Sequence, residues 1–140
     1  MTLHVIKLCV GVDEVEQLVA WQLKRRNKRG NCFHRTRMMP TRAAEILAGG
    51  SLYWVIKGFI QVRQAIVGIA KDSAGGVKKC TFELDPKLVL VQPTAHRPFQ
   101  GWRYFKPDAA PPDVTRRGKV YIDPDMPKAL KHELMRLGLI

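Results

Sequence analysis

Hydrophobic and polar residues alternate with a period of two along several stretches of this chain, a pattern typical of β-strands. Residues 3–10, LHVIKLCV, are the first such stretch and predict a first strand. Residues 52–71 are the longest: their even positions are apolar, apart from the small Gly58 and Gly68 and the polar Gln64. One strand of that length is atypical, so we expect a break at Lys57–Gly58, either a hairpin or a barrel corner.

Three segments carry the signals of helices. Asp13 and Glu16 stand in capping-box positions and predict a helix that runs to about Arg26. Its inner side would hold Val15, Leu18, Val19, Gln22 and Leu23. A short second helix is predicted in PTRAAEILAGG, residues 40–50, because proline suits a first turn and glycine ends a helix. A last helix is predicted from Asp125 to the stop at Gly138.

Further strands are predicted at residues 77–84, 87–94 and 120–122, with a polar connection at 27–39 and a proline-rich loop at 95–113. Strands therefore cluster in the middle of the chain and helices lie near both termini. This order predicts an α+β fold with a small, mostly antiparallel curved sheet or barrel. The length of 140 residues suits a single domain, 1–140.

The charge balance points to a partner class. Lys and Arg total 24 against 12 Asp and Glu, a net charge of +12, which favours RNA or another polyanion as partner. The three cysteines are far apart and form no C-x-x-C motif, so we expect reduced thiols and a cytoplasmic protein. We expect no signal peptide, because acidic residues directly follow the short apolar run at residues 3–10, and no contact with a membrane, because Lys57 and Arg63 interrupt the most apolar run.

The most basic segment lies between Glu16 and Glu45, which have no acidic residue between them. Residues 24–42 hold eight cations, among them Arg35, Arg37 and Arg42. Such a cluster attracts phosphate backbones. The alternative is a solvated helix end followed by a loop, in which the charges only increase solubility.

A second candidate is HRPFQGWRY, residues 96–104, in which Arg97 and Arg103 alternate with aromatic residues. Arginine binds phosphates, and exposed aromatic rings such as Trp102 and Tyr104 stack on unpaired bases. Alternatively, Phe99 and Trp102 close the end of a barrel and Arg103 pairs with an acid such as Asp108 or Asp113.

A third candidate is Lys57, Arg63 and Gln64, which lie within the apolar stretch. A buried unpaired cation is costly, so Arg63 must reach water, an acid or a ligand. On a concave face, Arg63 and Gln64 would line a binding groove. On an outward face, Lys57 and its neighbours would be ordinary polar surface.

Evidence for catalysis is weaker. Cys32, His34 and His96 are candidate reactive groups, since a catalytic Cys–His pair forms in space rather than in sequence. The cysteines and histidines lack zinc-ligand spacing, and P-loop, G-x-G-x-x-G, G-x-S-x-G and H-E-x-x-H motifs are missing. The sequence thus indicates no metal or cofactor.

Residues 3–22, 37–69 and 99–113 together resemble a small bacterial family known only as a domain of unknown function, DUF1489. That resemblance covers nearly the whole chain and implies no activity. RAAEILAGGSLYWVIKG, residues 42–58, is also similar in its helix–glycine–strand shape to the PUA-like superfamily of small RNA-associated β-barrels. That similarity implies a nucleic-acid groove beside the junction, although residues 96–113 and the last helix lie outside a minimal barrel of this kind.

Three functions are compatible with these features. The first hypothesis is an RNA-binding or ribosome-associated module, with Arg35, Arg37 and Arg42 on phosphates. The second is an enzyme acting on a nucleotide or another small anion. The third is a protein-interaction subunit that docks a partner through exposed aromatic residues.

Overall fold

The computed structural model describes residues 2–23, 30–72, 79–113 and 121–122, and most of these residues lie in strands. The elements are β1 (His4–Leu8), α1 (Val15–Leu23), β2 (Cys32–Thr36), α2 (Ala43–Leu47), β3 (Ser51–Ile56), β4 (Phe59–Asp72), β5 (Lys79–Leu84), β6 (Leu88–Ala95), β7 (Trp102–Phe105), a 3₁₀ turn (Pro107–Ala109) and β8 (Tyr121–Ile122).

The strands form one open, mixed sheet in the order β2-β5-β4-β3-β1-β7, with β6 paired to β4 and β8 to β6. β1 and β3 run parallel, and the other described pairs are antiparallel. With two short helices, this confirms the predicted α+β fold and its mostly antiparallel sheet.

The sheet is strongly curved, as a contact between its two ends shows. In a flat sheet, β2 and β7 would lie about 24 Å apart, five strand spacings. Instead the indole N–H of Trp102 on β7 donates to the carbonyl of Met38, two residues after β2, at 2.8 Å. The concave face is thereby nearly enclosed, although no ladder joins β2 to β7 among the described strands.

The predicted break at Lys57–Gly58 is a two-residue hairpin turn between β3 and β4. Both residues have positive φ, 51° for Lys57 and 83° for Gly58. Such a turn matches the natural twist of the two strands it joins. The hairpin interpretation is confirmed, and it leaves Lys57 exposed at the tip.

A β-bulge in β4 reverses the alternation that the sequence predicted. Val55 pairs with Ile60 and Trp54 with Val62, so Gln61 has no direct partner on β3. Ile60 therefore packs with Val55 on the convex face, whereas Val62 packs with Trp54 on the concave face.

Each face of the sheet has its own hydrophobic core. On the concave face, Leu18 and Val19 of α1 pack with Trp54 and Phe82. On the convex face, Ile6 and Tyr53 pack with Phe99 and Phe105 from the segment 96–113. That segment therefore forms part of the fold rather than an appended loop.

Two strands and one cap were not predicted correctly. β2 lies in the predicted polar connection and β7 in the predicted proline-rich loop.

Helix α1 is capped by the side chain of Gln17, which accepts from the backbone N–H of Asp13 at 2.6 Å and of Glu14 at 3.1 Å. Glu16 is therefore not the capping residue. The predicted last helix lies outside the described residues.

Candidate functional site

Cations gather around the loop of residues 96–101. The backbone N–H of His96 donates to the carbonyl of Gly58 at 3.0 Å, which places the Lys57 turn beside the loop. The rings of His96 and Phe99 lie 5.1 Å apart, and the Arg103 guanidinium lies 4.8 Å from the Phe99 ring centre. Lys57, Arg97 and Arg103 are exposed. These three cations and the loop 96–101 are called the basic loop surface below.

A second group of the predicted residues lies along β7. The hydroxyl of Tyr104 accepts from the backbone N–H of Thr41 at 2.9 Å and of Arg42 at 3.2 Å. Arg42 also lies 5.7 Å from the Tyr104 ring centre and pairs with Glu45 at 2.6 Å. This contact holds the segment that carries the exposed Arg37 against the edge of the sheet, and Arg35 is exposed on β2.

Arg63 meets the requirement for a buried cation by pairing with an acid. Its guanidinium donates to both carboxylate oxygens of Asp113, at 2.7 and 2.8 Å, and to the hydroxyl of Ser51 at 3.0 Å. The carboxylate hydrogen bond raises the pKa of Arg63 despite burial. The ion pair connects β4 to the end of segment 96–113. Asp113 is therefore the counter-charge of Arg63 and not of Arg103.

Two predicted binding residues are buried. Gln64 is 0% exposed and Trp102 is 3% exposed. Trp102 packs edge-on against Phe82 at 5.9 Å and donates its indole N–H to Met38. The structure therefore supports the alternative in which Trp102 closes the end of the curved sheet. Gln64 belongs to the core and lines no groove.

Phe59 is an exposed aromatic residue that the sequence did not single out. It is 46% exposed, directly follows the Lys57–Gly58 turn and pairs with Ala95, the residue before His96. Its backbone therefore lies beside the basic loop surface, while its side chain points to the face opposite that of Ile60, which packs on the convex face. Strand alternation alone could not reveal this, because the exposure depends on where the turn ends.

A cleft of about 420 Å³ opens beside α1, where the curved sheet ends. It is lined by residues 7–12, by Gln17 and Trp21 of α1, by His34 of β2 and by Trp54 of β3. The His34 ring meets Trp54 edge-on at 5.2 Å. The His34 Nε2 atom is buried and has no hydrogen-bond partner among the described residues. Four separate elements build the cleft, so no single sequence segment could have indicated it.

Burial shapes the charge state of the groups in the cleft. Desolvation lowers the pKa of His34 to about 4, with a smaller contribution from the charge of Lys7. Desolvation raises the pKa of the Cys9 thiol to about 12, so it is protonated at neutral pH. Desolvation also lowers the pKa of Lys7. At neutral pH the cleft thus holds a neutral imidazole, a neutral thiol and one partly desolvated ammonium group.

The low pKa of His34 predicts a loss of stability in acid. As the pH falls below 6.5, the unfolded chain takes up a proton at His34, whereas the folded protein does not until about pH 4. The free energy of unfolding should therefore fall by up to about 3 kcal/mol through this residue between those limits. Urea unfolding of wild type and His34→Leu at pH 7 and pH 4.5 measures it. On acidification the wild type should lose up to about 3 kcal/mol more stability than His34→Leu, and a constant difference would contradict the assignment.

The candidate reactive groups lie in three different environments. Cys32 is buried in the concave core opposite Leu84, His34 lines the cleft, and His96 contacts Phe99 beside the convex face. Among the described residues, no group of three or more His, Cys, Asp or Glu side chains is placed to hold a metal ion. The described part of the chain also contains no helix long and apolar enough to cross a membrane.

Comparison with known proteins gives a family but no function. The chain matches one family model, described as Protein of unknown function (DUF1489), over residues 5–140. Searches of curated proteins and of solved structures give no match. The architectural similarity to PUA-like barrels remains a prediction. Because the match spans almost the entire length, the chain belongs to the DUF1489 family of proteins of unknown function.

Proposed function

We propose that the protein binds RNA through the basic loop surface and the adjoining edge strand β7. The observation that carries the proposal is that Lys57, Arg97 and Arg103 are exposed around one loop without a carboxylate partner in the described part of the chain. Such a surface attracts phosphate groups, because each neutralised phosphate releases a condensed counterion.

The charge of the whole chain supports this proposal. A net charge of +12 creates a long-range positive potential that speeds the encounter with a polyanion. Glu45 on α2 and Asp113 at the end of segment 96–113 already pair with Arg42 and Arg63.

Exposed aromatic rings make a single strand the favoured form of the ligand. Phe59 is 46% exposed directly after the Lys57–Gly58 turn, and Tyr104 is 37% exposed on β7. Unpaired bases stack on such rings while cations track the phosphate backbone. A duplex hides its base faces and would leave both rings unused.

The residues in the proposal are a revised form of the predicted set. Lys57, Arg97 and Arg103 form the centre, and Tyr104, with Arg35, Arg37 and Arg42, belongs to the adjoining part at β7 and beyond. Arg42 can exchange its exposed partner Glu45 for a phosphate at little cost, because exposed ion pairs are weak. Arg63, Gln64 and Trp102 have structural roles instead.

Replacing Arg97 and Arg103 together with glutamine should weaken RNA binding roughly tenfold or more at low salt, because two phosphate contacts are lost. The slope of log affinity against log salt should become shallower by about 1.4, since each contact with a single strand contributes about 0.7. Fluorescence anisotropy with a labelled 20-nucleotide oligouridine across a salt series measures both quantities.

The matched control is Lys71→Gln with Lys79→Gln, which removes the same charge. These exposed lysines lie at the far end of β4 and at the start of β5. The control should change affinity much less. Equal weakening by both double variants would show that only total charge matters, and affinity independent of salt would overturn the proposal.

A further inference from the structure

The cleft beside α1 has features of a small-molecule site that are independent of RNA binding. Its volume of about 420 Å³ lies in the range typical of ligand pockets. Indole rings of Trp21 and Trp54 form part of its wall, and its other polar groups are few. Apolar walls with a few polar groups are the usual composition of such sites.

Among the described residues that line the cleft, Lys7 alone carries a formal charge at neutral pH. It lies on the concave face, opposite Trp54 on β3 and Trp102 on β7. The residues that line the cleft include no acid, and Lys7 has no carboxylate partner in the described part of the chain. A half-buried ammonium group without a counter-charge is costly, and an anion that enters the cleft would offset this cost.

His34 supplies a second polar group in need of a partner. Buried polar atoms are nearly always hydrogen-bonded, so an unpaired Nε2 atom calls for an explanation. The His34 ring lines the cleft and meets Trp54 edge-on, while the Nε2 atom itself is buried. A ligand reaches it only if the neighbouring rings shift slightly, so binding should be visible at Trp54.

We infer that this cleft binds a small planar organic carboxylate, with Lys7 as its counter-charge, Trp21 as an apolar wall and His34 as a hydrogen-bonding partner. One lysine balances one negative charge, which favours a monoanionic carboxylate over a phosphate dianion. The indole walls favour an aromatic or otherwise planar body.

Titration with 2-naphthoate, followed by two-dimensional ¹H–¹⁵N NMR, tests the inference. The chain has three tryptophans, and two of them line the cleft. Naphthoate should shift the indole N–H signals of Trp21 and Trp54 in a saturable manner and move that of Trp102 much less. The neutral analogue 2-naphthamide should bind at least tenfold more weakly.

Two variants separate what the Lys7 charge and the Trp21 ring each contribute to ligand binding. Lys7→Met should abolish the preference for carboxylate over amide, whereas the control Lys79→Met should keep it. Trp21→Leu should weaken both ligands by a similar factor. Equal binding of naphthoate and naphthamide to the wild type, or no saturable shift at Trp21 and Trp54, would overturn the inference. RNA binding by the same samples is a separate readout, so failure here does not decide the proposed function.

Discussion

Replacing Gly50 with alanine is expected to destabilise the fold by about 3 kcal/mol or more, because the new methyl group has no space. A Cβ atom at Gly50 would lie 2.2 Å from the backbone oxygen of Leu3 and 2.5 Å from that of Ile46. Both are main-chain atoms, so neither can move aside as a flexible side chain would. Chemical denaturation at pH 7 would measure the loss, and a protein that fails to fold would agree with it.

Gly50 holds several elements together at this close approach. Its N–H donates to the carbonyl of Ile46 at 2.7 Å, which ends α2, and its carbonyl accepts from the N–H of Ile66 on β4 at 3.0 Å. Leu3, next to β1, is bound to the same helix through Glu45 at 3.1 Å. Moving Gly50 outward would therefore strain β1, α2 and β4 together.

Gly58→Ala is the matched control. Gly58 has φ of 83° but no atom within 4 Å of an added Cβ, so its replacement brings conformational strain without a clash. That strain costs about 1–2 kcal/mol. If Gly50→Ala lowered the free energy of unfolding no more than Gly58→Ala, that result would contradict the close approach of Gly50 to Leu3.

The sequence predicted those parts of the fold whose signals are local. The Gly49–Gly50 helix end and the Lys57–Gly58 break follow from glycine and from alternation over neighbouring residues. β2 and β7 were not predicted, because each is short and lies at an end of the strand order. Their pairing depends on distant residues, those of β5 for β2 and those of β1 for β7. The bulge at Gln61 was equally hidden, since it depends on the register with β3.

The sequence could predict which residue types the candidate site contains, but not how these residues are arranged in space. An excess of cations was evident, yet the sequence could not show that Asp113 neutralises Arg63 from 50 residues away. Nor could it show that the hairpin tip brings Lys57 beside His96. Lys7 looked like one polar residue of a strand, and only the packing of α1 over the sheet end places it in a cleft with Trp21.

Gln64→Leu is expected to lower the free energy of unfolding by about 3–5 kcal/mol, because several buried groups would lose their partners. The Gln64 amide oxygen accepts from Gln22 Nε2 and from the indole N–H of Trp54, both at 2.8 Å. Its amide nitrogen donates to Gln22 Oε1 at 2.9 Å and to the carbonyl of Asp85 at 3.0 Å. Leucine has a similar volume but satisfies none of these groups.

A double-mutant cycle with Gln22→Leu tests the pairing itself. The double variant should lose at least about 1 kcal/mol less free energy of unfolding than the two single variants lose together. The reason is that each single variant leaves the remaining amide, of Gln22 or Gln64, without its partner, whereas the double variant removes both amides. Gln61→Leu is the control, because Gln61 makes one described hydrogen bond, to the carbonyl of Ile56 at 2.8 Å. It should cost about 1 kcal/mol, and additive losses in the cycle would contradict the network.

The same network also positions the wall of the cleft. Gln22 is one helical position beyond Trp21, so its bond to Gln64 fixes how α1 lies on the sheet. In Gln64→Leu, α1 should loosen and naphthoate should bind more weakly even where the protein remains folded. Hydrogen exchange should then rise in α1 more than in β3 and β4, which stay paired to each other. Uniform acceleration across helix and sheet would mean that Gln64 supports the core as a whole and does not specifically anchor α1.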